Sequence, residues 1–592
     1  MTTTPNRPRV RDGIPGQRAG TPDRTRGDGA GPAPRVPRVL TDVHHGGHVL
    51  ADEVPTVDPD CASAEGMRWV EVEERSTPFG YMFEDLQGLY PCAHLPIESS
   101  AAVVACLKAL GAAMVEQPPS AAGDSTVPAI YTYWGQFVDH DLTANTDRDD
   151  DISITDLPLQ PLQPEKVVRK MRNLRQPQLN LDSVYGNGPQ ASGQEGQVPY
   201  DGDRLAIGDL STARPPGNVA VPGADLPRDE HGKARIGDGR NDENLIVAQL
   251  HLAFLRFHNE VLAWMAEHPG SEVTGDGTFA RARQLVQWHY QWITVHDFLK
   301  RIADPAVVDG LLDGSIPARL ALDETTPPGK VFMPLEFSVA AYRFGHSMIR
   351  GAYDWNENFG APGTRLPSSP FGLLFLFTGN GGLGGDTKLP DNWPARFERL
   401  TGAEERPADT PDNVPVRVAR KIDTRIASPL ADLSNEGTSE ISDRTRRMLK
   451  RLAVRNLLRG YRLAIPTGQA VARSLGIPSL RREELIAVPG AGGGRPVPPS
   501  PVDDALIDGG FLEDTPLWFY VLKEAEVLGQ GERLGPVGSR IVAETIIGQL
   551  RADPTSFLNG TPAWDPSAGV TLAGGQPVDS ITAFLRFAKM HP

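Results

Sequence analysis

The chain has 592 residues, 39% hydrophobic and 23% charged, which supplies apolar material for a large core and excludes wholesale disorder. Its 75 acidic against 59 basic residues give a net charge of −16, which argues against a nucleic-acid surface, because phosphate binding needs a concentrated positive field. Three cysteines (Cys61, Cys92, Cys106) without a C-x-x-C pair exclude a disulfide framework and a cysteine-held zinc or iron–sulfur centre, and no apolar run approaches the roughly 18 residues of a membrane span.

Residues 1–65 are rich in Arg, Pro, Gly and Thr, contain no apolar stretch of the signal-peptide kind and lack helical or strand periodicity, so they are expected to form a flexible tail. His44, His45 and His48 fall within it, and a solvated stretch explains them better than a metal site. From residue 66 the pattern is helical. Apolar residues recur at three and four over 100–116, 129–142, 242–268, 277–302, 334–351, 443–463, 466–474, 515–527, 536–551 and 577–589. Asp242 marks one helix start and Pro269-Gly270 one end. Gly and Pro, 61 and 54 residues, concentrate in long loops at 186–240, 355–372, 379–390 and 487–502. No repeat and no β-rich block is visible. The expectation is a mainly α chain: a tail over 1–65 and one large helical domain over 66–592.

Chemistry first appears in the segment 131–142, YTYWGQFVDHDL. On a helix Gln136 and His140 share a face at i, i+4, with Asp139 beside them. A histidine among acids and a glutamine suits a general base or a metal ligand, and equally an ordinary hydrogen-bonded helix residue. Two later segments shift that balance. Arg343 and His346 lie at i, i+3, and so do Asn456 and Arg459. An Asn can hold the second nitrogen of a ligating His, and arginines suit carboxylates. His251 with His258, and His289 with His296, are each seven apart; core roles are much commoner for such pairs than ligation. The metalloprotease motif H-E-x-x-H and the nucleophile elbow G-x-S-x-G are both absent.

WGQFVDHDLT (134–143) resembles the distal-histidine segment of the animal-type haem peroxidases, the peroxidase–cyclooxygenase superfamily. GRNDE (239–243) is similar to that family's distal Arg-x-x-Glu, AYRFGH (341–346) to its proximal histidine segment and LAVRNLLRGYRLAIPTG (452–468) to its Asn-x-x-Arg helix. LDSVYG (181–186) resembles the calcium-loop region. The five occur in the family's order and, with GPVGSRIVAETIIG (535–548), cover roughly residues 70–590 of a bacterial-looking member.

The resemblance implies haem b, with His346 as iron ligand held by Asn456, and Arg343 and Arg459 near the haem, Arg459 on a propionate. It implies His140 as distal acid/base beside Gln136, and Arg240 as the donor that stabilises charge on the departing oxygen. Asp139 and Glu243 align with carboxylates that form ester links to haem in mammalian members; hydrogen bonding to a distal water network is the alternative. Asn244 follows Glu243, so no sulfonium link is available there. Calcium is implied at Asp141, Asn180 and Asp182, although the family's Thr and Asp there are replaced by Gln176 and Asn180.

The expected activity is reduction of hydrogen peroxide with oxidation of a halide, thiocyanate or small organic donor, as in oxidative-stress responses. Fatty-acid dioxygenases of the same superfamily need a tyrosine three residues before the proximal histidine. That position is Arg343, and Tyr342 is displaced by about 100° round an α-helix, which favours peroxidase. A non-catalytic peroxidase-like adhesion or binding protein would lose His140, Arg240 or His346, and all three are present. Relatives often act outside the cell, whereas the low cysteine count suits a reducing compartment equally. Electron donor and oligomeric state are not encoded in recognisable motifs.

Overall fold

The computed structural model describes the backbone of residues 38–44 and 48–53, and residues 76–592 apart from 89–91, 117–120, 145–153, 155–157, 192–197, 269–276, 328–329, 360–368, 380–381, 403–416, 434–446, 487–499 and 561. Helices dominate. We name α1 (Ser100–Ala113), α2 (Ile130–Leu142), α3 (Leu245–Glu267), α4 (Gly277–Ile293), α5 (Leu452–Arg462), α6 (Leu517–Leu528), α7 (Pro536–Ala552) and α8 (Ile581–Phe587). Within the expected tail, Arg38–His44 and His48–Glu53 pair as an antiparallel ribbon. The remaining strands are two to five residues long; Thr77–Gly80 pairs with Arg172–Asn173 antiparallel and with Met333–Pro334 parallel. Among the described residues no helix is long and apolar enough to cross a membrane.

The core forms where α2, α3, α4 and α8 meet. Residues 130, 133, 134, 137, 138 and 141 of α2 are buried at helical spacing, which leaves Thr132, Gly135, Gln136 and Asp139 on the other side. Phe137 stacks on Phe254 of α3 with centroids 4.4 Å apart, and Phe584 of α8 packs on Phe254, Phe257 and Trp134. α3 is buried on nearly all sides, as expected of a helix apolar all round. The helical run expected over 277–302 exists but passes through one π-helical turn, Thr294–Leu299, whose Thr294 hydroxyl accepts from the Trp134 indole at 3.3 Å.

Two expected helices differ: the run expected over 443–463 is broken at Arg451 (φ −95°, ψ 93°), and its main helix starts at Leu452. Residues 334–351 form a short α-turn, Leu335–Ser338, a break at Ala340 (φ −130°, ψ −79°), and a 3₁₀ helix, Ala341–His346. Side chains replace the lost i→i+4 ladder: Arg343 Nε donates to Ser338 O at 2.7 Å, Trp518 Nε1 of α6 to Arg343 O at 3.1 Å, and Ser347 Oγ to Phe344 O at 3.1 Å. On the far side α1 crosses α5 so closely that a Cβ on Gly111 would stand 2.8 Å from Val454 N. That approach sets α5, and with it Asn456, behind His346.

Candidate active site

Two walls face each other across a narrow cleft. α2 supplies Gln136, Asp139 and Gly135, and the 3₁₀ helix supplies Tyr342, Arg343, Gly345 and His346. In a 3₁₀ helix residues three apart are eclipsed, so Arg343 and His346 stand in one column. Arg343 Nη1 reaches across to Asp139 Oδ2 at 3.2 Å, and Thr143 Oγ1 donates to Asp139 Oδ1 at 2.9 Å. His346 is buried, with the Asn456 amide 2.9 Å from its Nδ1. The amide presents Nδ2 to the ring; turned over, its Oδ1 accepts from Nδ1–H, and ligation then falls to Nε2.

His140 lies one residue past Asp139, buried and outside the cleft lining. Its Nδ1 is 2.8 Å from Asn241 Oδ1, while Asn241 Nδ2 donates to His251 Nδ1 at 3.0 Å. With the amide in this orientation, His140 Nδ1–H donates to the Asn241 carbonyl oxygen, and Nε2 is the acceptor of the neutral ring. Burial, and then the charge of Arg240, pull the His140 pKa down to about 4.

Arg240 does not line the cleft. Its guanidinium donates to His140 O at 2.7 Å, to Thr143 O at 2.6 Å and to Asp238 by both Nε and Nη2. Asp238 also accepts from the Arg240 backbone N–H and pairs with Arg175. Burial opposes the charge on Asp238, yet Arg175 and Arg240 hold its carboxyl well below the usual range. From outside, Arg228 grips Asp242 with two bonds (2.6 and 3.0 Å) and Asp225 with two more, so the expected helix start at Asp242 is a turn locked by a salt bridge. The cap of α3 is Asn244, which accepts from Val247 N at 3.1 Å and donates through Nδ2 to Gln136 Oε1 at 3.1 Å.

The structure thus brings Gln136, Asp139, Arg343 and His346 to one cleft, with Asn456 behind it. His140, Arg240 and the buried Glu243 sit one layer out, and Arg459 lines no part of the cleft. Burial lowers the Arg459 pKa to about 9, which leaves the guanidinium charged at neutral pH. The donor set fits haem: a backed imidazole, arginines for carboxylates and, at Gly345, a position where an added Cβ would meet nothing within 4 Å. Of the histidines spaced seven apart, His251, His258 and His289 are buried and His296 is half-buried. His258 contacts Tyr185 OH and Asp203 O, His289 bridges Val570 N and Val578 O, and His296 stacks on Trp292. The calcium expected at Asp141, Asn180 and Asp182 meets a different donor set, in which Arg175 already pairs with Asp182.

Sequence reasoning missed Asn241, Asp238, Arg228 and Arg175. Asn241 lies inside the GRNDE segment, but nothing in its spacing announces a contact with residue 140. Residues 163–369 match the animal haem peroxidase family. A peroxidase-like protein of Margaritifera margaritifera is 33% identical over 130 residues, 22% of this chain and 16% of that protein. Thyroid peroxidase of Homo sapiens is 27% identical over 224 residues, 34% of this chain and 23% of its own. The match therefore spans less than a quarter of either relative's length. Among solved structures, Peroxidase A from Dictyostelium discoideum aligns with a TM-score of 0.53 at 16% identity over 87% of this chain and 94% of its own. A fatty acid alpha-dioxygenase of Oryza sativa aligns with a TM-score of 0.51 at 15% identity, covering 89% and 88%. These two show a shared fold. The family match thus covers about a third of the chain, residues 163–369, and includes the proximal segment with Arg343 and His346 but not the α2 segment with His140.

Proposed function

We propose that the chain is a haem-dependent peroxidase that reduces hydrogen peroxide and oxidises a small donor such as a halide, thiocyanate or a phenol. The observation that carries this reading is the placing of His346 opposite the α2 segment that contains His140. His346 stands on the cleft wall backed by Asn456, and His140 is kept neutral at the end of the opposite wall with Nδ1–H held by Asn241. Haem held between the walls would supply the redox chemistry. The chain's own part is proton handling: neutral His140 accepts a proton from peroxide at Nε2 and returns it to the departing oxygen.

Arg240 acts in this scheme as a positioning residue. Its bonds to the carbonyls of His140 and Thr143 tie off the end of α2, and its charge opposes protonation of His140. Gln136, oriented by Asn244, presents a polar group to the cleft. Asp139, paired with Arg343, lies on the cleft wall, so an ester link to haem is more accessible to it than to Glu243 in the outer layer. Acid–acetone extraction tests this: haem that stays with the protein supports a covalent link, and haem that leaves removes it.

The test of the function is an absorption spectrum of protein expressed with haem supplied, before and after hydrogen peroxide. A Soret band that shifts on addition supports the reading; a protein that takes up no haem overturns it and favours a binding module. A dioxygenase reading rests on one observation. Tyr342, expected to be turned aside, does line the cleft, its hydroxyl donating to Gly135 O at 3.2 Å. Oxygen uptake that depends on a fatty acid and is lost in Tyr342→Phe would move that reading ahead.

A further inference from the structure

The segment 176–183 was expected to hold calcium together with Asp141, and most of its donors are already committed, with Asp141 Oδ1 and Ser183 Oγ left buried without a hydrogen-bond partner. Gln176 Oε1 accepts from Asn180 Nδ2 at 3.0 Å, and Asn180 Oδ1 accepts from Asp182 N at 3.1 Å. The backbone carbonyl of Gln178 accepts from Gln291 Nε2 at 3.1 Å, and that of Asn180 accepts from Gln287, one turn earlier on α4. Asp141 Oδ2 accepts from Leu181 N at 3.3 Å. Arg175 Nη1 lies 3.2 Å from Asp182 Oδ1, and its Nη2 pairs with Asp238. Among the described residues no group of three or more acidic, histidine or cysteine side chains is arranged to hold a metal. Calcium takes six to eight oxygens and would enter beside a fixed positive charge. This donor set does not fit calcium.

We infer that Arg175 is an internal cation that stands in this chain where the resemblance places calcium, binding the 176–182 loop to the distal helix without a metal. The connection is continuous. Arg175 pairs with Asp238, Asp238 with Arg240, and Arg240 donates to the carbonyls of His140 and Thr143. Asn173 secures the base of the loop: its Nδ2 donates to Leu142 O and its Oδ1 accepts from Ala144 N, both at 2.8 Å. A guanidinium serves this role better than an ammonium would, because its fork reaches two carboxylates at once. The inference rests on the family resemblance and the fold, and its readouts are independent of haem and of turnover.

The test uses the full chain. Elemental analysis after dialysis against metal-free buffer should find no stoichiometric calcium, and neither a chelator nor millimolar calcium should move Tm. One retained equivalent of calcium, or a Tm that falls with chelator, would overturn the inference. In a double-mutant cycle, Arg175→Gln should lower Tm by about 3–5 °C, as loss of one partner of a buried ion pair does in a chain this long. Combined with Asp182→Asn it should lower Tm by clearly less than the two single losses together. Strict additivity would also overturn it. If Arg175→Gln does not fold, the calcium measurements on the parent chain decide alone.

Discussion

Asn241 is the residue on which the distal arrangement turns, and Asn241→Leu removes its polar group while keeping its volume. Asn241 is fully buried and makes two side-chain bonds, accepting from His140 Nδ1 at 2.8 Å and donating to His251 Nδ1 at 3.0 Å. The change leaves two buried ring nitrogens without their partner, each costing about 1–3 kcal/mol, so about 2–6 kcal/mol together. At roughly 1 °C per kcal/mol for a chain this long, Tm should fall by about 2–6 °C in a calorimetric scan. Without the anchor, His140 loses its fixed tautomer, and the second-order rate constant for peroxide should drop about 10–100-fold in stopped flow. Asn241→Asp should behave differently: it keeps the acceptor for His140, and its negative charge should raise the His140 pKa from about 4 by roughly 1–3 units. The activity of that variant should then decline at a correspondingly higher pH. A leucine variant with unchanged Tm and rate, or an aspartate variant with an unmoved pH profile, would refute the reasoning.

The remaining expectations are more direct. His346→Ala should abolish haem retention, read as loss of the Soret band in protein whose far-ultraviolet circular dichroism is unchanged. In the parent chain, protonation of His140 removes the proton acceptor. The peroxide rate should therefore hold level to about pH 5 and fall about tenfold per pH unit only below about 4; an inflection near 6.5 would show that the ring is not desolvated. Phe254→Ala, at the centre of the aromatic core, should destabilise by about 3–5 kcal/mol with haem affinity unaffected once folded, measured by thermal melt and haem titration.

Much of this architecture was legible in the sequence wherever one helix carried both the apolar pattern and the chemistry. The α2 segment announces itself through Trp134, Phe137 and Val138 on one side and Gln136 and Asp139 on the other, and the spacing of Asn456 places it on a helix that reaches His346. The stretch 334–351 was read as one helix because its apolar residues fit the period. What ends the helix is tertiary: Arg343 and Trp518 satisfy the carbonyls freed at the break, and no local signal specifies either bond. The same limit hid Asn241 and Arg228, whose partners lie across the chain. Arg240 was assigned from its motif, and only its bonds to Asp238 and two carbonyls reveal a guanidinium occupied with holding α2. For the calcium loop, Gln176 and Asn180 already departed from the family pattern, but Arg175, one residue outside it, carried the explanation.

The aromatic core also sets a clock. Phe254 must stack with Phe137 and then wait for Phe584, some 330 residues later in the chain, before its other side is covered. At about 5–20 residues per second, that interval lasts roughly 20–70 s of synthesis. Throughout it, the apolar flank of α3 has no α8 to cover it. The nascent chain is thus open to aggregation for far longer than a helix takes to form, and productive expression should depend on chaperone capacity and elongation rate more than on the stability of the finished protein.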